Sequence, residues 1–351
     1  MTMTDPLNLN LNGHKSFGLI LTAALMLALC SCGQGAGSVQ TVHHSERNNI
    51  VEATIVSIDD SLPMLHDASF LRWFGDTLII DDHKSTDKVL HAYDIVHGKY
   101  LGAFGKFGAG PGELSNFGHL FANPRNRGLY CINGGTESIV RFDVDSALND
   151  SLYRPVNIVK VPSISGGVFK HPFNFKYLND SSLLCCVMMH HPETHKLENY
   201  LGRLDMRTGE SDIIGDIMNP VLGKNNNMTL SLDDSLIVMY SNNQDRIRLC
   251  NLDGEVFKII TGPNYSKEPS RGIEHFYSVT TGGGRLFAIY LNRPLMGKDK
   301  RSDIIVMDLD GNYLKTYRLY SHIWAMVYNE TTHRLYVSCD GDPQFGYIHI
   351  D

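Results

Sequence analysis

The sequence predicts an all-β protein, a six-bladed β-propeller with four antiparallel strands per blade, closed by an N-terminal strand that pairs with the last blade. Three observations predict it. First, a polar or glycine turn followed by a leucine that opens a β-rich run recurs six times. The copies are Gly75-Asp76-Thr77-Leu78, Asn126-Arg127-Gly128-Leu129, Asp180-Ser181-Ser182-Leu183, Asp233-Asp234-Ser235-Leu236, Gly283-Gly284-Arg285-Leu286 and Thr332-His333-Arg334-Leu335. Their leucines stand 51, 54, 53, 50 and 49 residues apart, and a near-constant period of this length marks repeat architectures. Second, most units carry a later signature in which two polar residues and Val or Ile lead to an aspartate turn: Tyr93-Asp94, Phe142-Asp143, Leu252-Asp253-Gly254 and Leu309-Asp310-Gly311, with Leu204-Asp205 alone in the third. Aspartate or Asp-Gly between alternating runs tolerates the backbone angles of a hairpin turn, which gives four short strands per unit. Third, nothing after Ile50 has the period and length of a long helix.

The elements then follow in order. Alternation begins at Ile50, with Val51, Ala53, Ile55 and Ile58 as the first strand. The sixth unit has three strands, so Val51 to Ile58 is expected to supply its outer one and close the ring, leaving only short, protected edges. Between the first and second units lies Gly102-Ala103-Phe104-Gly105-Lys106-Phe107-Gly108-Ala109-Gly110-Pro111-Gly112-Glu113-Leu114, with five glycines and a proline. Glycine entropy and the missing proline donor exclude a helix or a central strand there, so the segment reads as a tight crossover between two sheets. It resembles the inter-blade segment of NHL-type propellers. Only Lys258-Ile259-Ile260-Thr261-Gly262-Pro263 echoes it in the later units, and the two tryptophans, Trp73 and Trp324, fall at similar places in the first and last units.

At the N-terminus, Lys15 precedes the apolar run Phe17 to Leu29. That run has the length of a signal-peptide core and is short of the ~20 residues that span a membrane. Leu29-Cys30-Ser31-Cys32-Gly33 resembles the bacterial lipoprotein cleavage box. Taken with the repeats, the chain resembles the six-bladed TolB-like or NHL-like β-propeller lipoproteins. The resemblance implies a signal peptide over residues 1–31, lipidation of Cys32, a flexible tether over 32–49 and a propeller over 50–351. It also implies a location outside the cytoplasm on a bacterial membrane, with the outer membrane preferred because Gly33-Gln34 lacks an aspartate. A plain secretory signal or a short membrane anchor is the alternative.

A formal net charge of -7 with scattered basic residues argues against nucleic acid, which needs a clustered basic surface. The other cysteines, Cys131, Cys185, Cys186, Cys250 and Cys339, read as small core hydrophobes; a Cys185-Cys186 bridge or a thiolate site is the alternative. No Gly-x-Ser-x-Gly elbow, P-loop or dinucleotide fingerprint is present, so there is no candidate catalytic residue for nucleophilic or nucleotide chemistry.

Propellers bind at the mouth of the central channel, so residues ending the second strand of each unit become candidates: Asp81, Asp82, Asn133, His190, Asn242, Asn292 and Asp340. Converging there, they can hold a divalent cation or hydrogen-bond a sugar; alternatively each only begins a turn. His190, His191 and His195 form the densest set of potential metal ligands, although Pro192 excludes the helical zinc motif. Arg293, Leu295 and Met296 lie in a loop joining the second and third strands of the fifth unit and have the mixed apolar and cationic character of a partner surface. The expectation is a lipid-anchored binding or scaffolding module acting through one loop face on an envelope protein or a carbohydrate-type ligand. Its membrane contact is through the anchor alone. One alternative is a metal-assisted hydrolase, lactonase or lyase on carbohydrate-derived substrates, with a cation at the channel mouth; another is a subunit of an envelope assembly.

Overall fold

A computed structural model describes residues 39–58, 62–66, 69–123, 128–165, 168–219, 226–231, 234–294, 297 and 299–350. The expected signal peptide, Cys32, Leu295 and Met296 lie outside the described residues. From Gln40 onward the chain is one compact unit of six small sheets arranged as six blades. The innermost strands are Phe70–Phe74, Phe117–Asn123, Val168–Asn179, Asn226–Ser231, Ile273–Gly282 and Ile323–Asn329, and each contacts the next around the ring, the last returning to the first. The second strands, Thr77–Asp81, Gly128–Asn133, Ser182–His191, Leu236–Ser241, Arg285–Pro294 and Arg334–Cys339, pair antiparallel with them.

Period-two alternation in the second strands explains why the ring holds. Leu183, Cys185 and Val187 pack against blade 2, while Leu184 and Cys186, one residue out of phase, pack against blade 4. Every second strand feeds two apolar clusters in this way, so six clusters separate six blades. All six repeat leucines are buried. Five of them face the preceding blade, but Leu236 faces the following one and Ile237 takes its place. A one-residue slip exchanges the faces of a strand, and blade 4 is out of phase by that step. The same alternation separates Cys185 from Cys186. All five cysteines of the propeller are free and buried.

The glycine-rich segment is both strand and crossover. Gly102 to Lys106 belong to the outer strand Lys99–Lys106 of blade 1. The remainder folds over on itself, with Leu114 N–H donating to the Lys106 carbonyl at 2.8 Å and Gly108 N–H to the Leu114 carbonyl at 2.9 Å. Gly110-Pro111-Gly112-Glu113 closes as a turn, Glu113 N–H to Gly110 carbonyl at 3.0 Å, with Gly112 at φ 82°. Proline second and a left-handed glycine third is the chemistry of a type II turn. Asp143, read as a hairpin turn, instead caps a short helix, α1 (Val144–Asn149), accepting from Ser146 N–H at 2.9 Å.

The N-terminal segment differs from expectation. Strand β1 (Gln40–His43) adds in parallel to the outer strand of blade 4, β2 (Ile50–Glu52) adds in parallel to that of blade 5, and β3 (Val56–Ser57) pairs antiparallel as the outer strand of blade 6. Closure by N-terminal sequence is therefore made by Val56–Ser57, whereas Val51 lies on the neighbouring blade. The tether expectation fails for Gln40 to Asn49: these residues are strapped across the outer edges. Arg47 of this strap reaches inward to Asp245 at 2.9 Å, with side chains 6% and 0% exposed, and its guanidinium lies over the Phe276 and Tyr290 rings.

A candidate binding site in the axial channel

Six innermost strands meeting around an axis leave a channel, and its lining is set by which of their side chains point inward. A cavity of about 460 Å³ lies there, lined by residues from all six blades. Its polar lining includes Arg72 from blade 1, Lys176 and Asn174 from blade 3, Thr229 from blade 4, Ser278 and Thr280 from blade 5 and Trp324 from blade 6. Asp81, Tyr240 and Asn242 reach it from second strands or the turns that follow them.

Local irregularity aims several of these groups. The innermost strands of blades 2, 3, 5 and 6 all break register with their neighbours, between Gly118 and Phe121, Phe173 and Lys176, Phe276 and Ser278, and Ile323 and Ala325. Such bulges bend a strand and redirect a side chain. In blade 3 the device is Asn174, held at φ 53° with its amide donating to the Met228 carbonyl at 3.3 Å. Beyond it Phe175 and Tyr177 pack against blade 2 while Lys176 lines the cavity.

The electrostatics of the cavity are unusual for a space filled only by structure. Arg72 donates from Nε to the Leu120 carbonyl at 3.2 Å and from Nη1 to the Leu71 carbonyl at 2.7 Å, so it is fixed by main chain rather than by a carboxylate. The Lys176 ammonium makes no hydrogen bond or ion pair with the described residues. Burial, reinforced by the Arg72 charge, pulls its ammonium down to about 7. Asp81 is 5% exposed, and burial raises its carboxyl to about 7 although Arg72 opposes the shift. Three buried polar atoms of the lining have no hydrogen-bond partner: Asp81 Oδ1, Asn242 Oδ1 and Trp324 Nε1. Buried polar atoms are nearly always satisfied by protein or ordered water, so three open ones around one cavity leave it room for a polar occupant.

Of the seven residues expected at the channel mouth, Asp81 and Asn242 line this cavity. Asp82 is spent on His66, whose Nδ1 lies 2.9 Å away. Asn133 clamps the glycine-rich crossover, accepting from Ser115 N–H at 3.2 Å and donating to the Glu113 carbonyl at 3.0 Å. His190 pairs with Leu197 across its hairpin, Asn292 is exposed at φ 43°, and Asp340 faces Lys300 at 3.8 Å. None of these five lines the cavity. Among the described residues no three metal-ligating side chains converge. His190 and His191 are successive strand residues and point to opposite faces; His191 contacts Glu198 at 3.1 Å, while the His190 ring stands 6.4 Å from that of His195. Arg293 donates to the carbonyls of Asp299 and Arg301 and contacts His322.

Sequence reasoning missed Arg72, Lys176 and Trp324 because it searched the ends of second strands, whereas innermost strands line the channel. A signal was present. Arg72 stands inside Phe70-Leu71-Arg72-Trp73-Phe74 and Lys176 inside Phe173-Asn174-Phe175-Lys176-Tyr177, and a lone cation within an aromatic strand is costly unless it has a use.

Solved proteins share this fold. A member of the DUF4221 family from Bacteroides vulgatus superposes with a TM-score of 0.60 at 12% identity, over 86% of this chain and 98% of that one. A gluconolactonase from Xanthomonas campestris gives 0.51 at 13%, over 88% and 91%. A putative exported protein from Bacteroides fragilis gives 0.50 at 11%, over 85% and 87%. No family model and no curated protein matches the chain. At these identities the likeness bears on the fold alone, and one fold carries many activities.

Proposed function

We propose that this chain is a lipid-anchored, extracytoplasmic binding module whose small-molecule ligand occupies the axial cavity. One observation carries the reading: Asp81 Oδ1, Asn242 Oδ1 and Trp324 Nε1 stand unsatisfied around a single cavity that also holds the unpaired Lys176. The anchor rests on the lipoprotein-like box around Cys32 and the location on the signal-like run before it; the putative exported protein from Bacteroides fragilis that shares the fold is in keeping with the location. Among the described residues no helix is long and apolar enough to cross a membrane. The axis is preferred to the loop face because Arg293, near the end of the second strand of blade 5, is engaged by the Asp299 and Arg301 carbonyls and by His322. The gluconolactonase likeness lends no separate support to a hydrolase, being a likeness of fold.

The test is a thermal-shift screen of small polar metabolites against the full-length protein, repeated on Trp324→Phe and Arg293→Ala. A ligand that binds only the folded state raises stability by about 2.7 kcal/mol at a hundredfold excess over its dissociation constant. The expected outcome is a stabilising compound whose effect is reduced by Trp324→Phe and kept by Arg293→Ala. The opposite pattern would return the site to the loop face.

A further inference from the structure

We infer that the ligand of the axial cavity is a small organic anion, a carboxylate bearing hydroxyl or amino hydrogen donors, held between Arg72 and Lys176. The inference rests on the axial site proposed above and specifies its chemistry. Of the ionisable side chains lining the cavity, Arg72 and Lys176 are basic, Asp81 is a carboxylic acid, and His83 is an imidazole whose protonation burial disfavours. Neither basic group is neutralised by a salt bridge: Arg72 donates to main-chain carbonyls, and the Lys176 ammonium has no partner among the described residues. A buried charge without a counter-charge is retained at a cost to folding. An incoming carboxylate removes that cost for both cations, through charge-assisted hydrogen bonds that are the strong ones available to a protein.

The unsatisfied atoms define the rest of the ligand. Asn242 donates its amide to Glu274 at 3.0 Å, which leaves Oδ1 as a buried acceptor in need of a hydrogen. Trp324 Nε1 can only donate. A ligand with hydroxyl groups answers both, since each hydroxyl gives one hydrogen and accepts another. A hydrocarbon acid would leave Asn242 unsatisfied, and a neutral polyol would leave Lys176 uncompensated. Phe70, Phe117 and Tyr277 supply apolar walls around this polar set, the usual composition of a small-molecule pocket.

The experiment uses three probes of one shape and different charge, glucuronate, glucose and glucosamine, titrated calorimetrically into full-length protein and into the Lys176→Met and Trp324→Phe variants. Glucuronate is expected to bind, glucose and glucosamine more weakly by about tenfold to a hundredfold, the worth of a hydrogen bond to a charged group. Lys176→Met is expected to reduce that preference, leaving the part that Arg72 supplies. It should also unfold at a higher temperature than the parent without ligand, which would show that the variant is folded and that the ammonium is not retained for stability. Equal or tighter binding of glucose or glucosamine, reduced by Trp324→Phe, would overturn the anion inference and leave the axial site standing. Heat from none of the three probes would overturn both.

Discussion

Lys176 and Asp81 share a cavity with Arg72 and respond to burial in opposite senses, so their ionisation gives the molecule a pH signature. Asp81 keeps its proton up to about 7 in the folded chain, against an ordinary value of 3.8. Across that window the native state binds more protons than the unfolded one, and stability falls as pH rises. Lys176 holds its proton only up to about 7, against an ordinary 10.5. Above 7 the unfolded state binds more protons, and stability rises with pH. Together the two groups contribute a minimum of stability near neutral pH. Urea midpoints measured from about pH 5 to about pH 9 should reveal it. Asp81→Asn should flatten the acid limb and Lys176→Met the alkaline one; profiles unchanged by both substitutions would contradict the assignment of these groups to a common buried site. At this scale the sequence was half legible. Asp81 and Asn242, expected at the ends of second strands, line the cavity from the last residue of one such strand and the first residue after another. Lys176 was hidden by the bulge at Asn174, a change of register that alternation alone does not announce.

At the scale of elements, strands whose side chains alternate between two buried faces were readable, and strands held by backbone alone were not. The second strands feed two apolar clusters each, so their leucines and branched residues announce them. Gln40–His43 and Ile50–Glu52 lie on outer edges with mostly exposed side chains, and parallel pairing there leaves no periodic mark. What does fix the strap is Arg47, whose guanidinium neutralises fully buried Asp245 while Asp245 Oδ2 accepts from Tyr290 O–H at 2.9 Å and Asn264 N–H at 3.2 Å. Removing one member of a buried ion pair strands the other charge and costs about 3–5 kcal/mol. Arg47→Ala should therefore destabilise the protein by that amount in chemical unfolding, and Arg47→Ala with Asp245→Asn by less. A loss within the scatter of ordinary surface substitutions would mean that the strap does not bind the blades in this way.

For the whole molecule, the repeat period predicted six blades and the ring has six, with clusters between all neighbours including the sixth and first. Closure through Val56–Ser57 joins N-terminal sequence to the last blade, and the strap ties blades 4, 5 and 6 along their outer edges. A rigid ring of this kind can hold an axial cavity with unpaired polar groups, because the deficit at the centre is small beside the apolar burial between blades. The stability that the strap and clusters supply is thus connected to the site: it lets Arg72, Lys176 and Asp81 remain where folding alone would not favour them. The most direct measurement is a crystal structure of the full-length protein with glucuronate. Ligand density is expected on the axis, with the carboxylate between Arg72 and Lys176 and the hydroxyls at Asn242 and Trp324. Ligand density on the loop face carrying Arg293, with solvent alone on the axis, would contradict it.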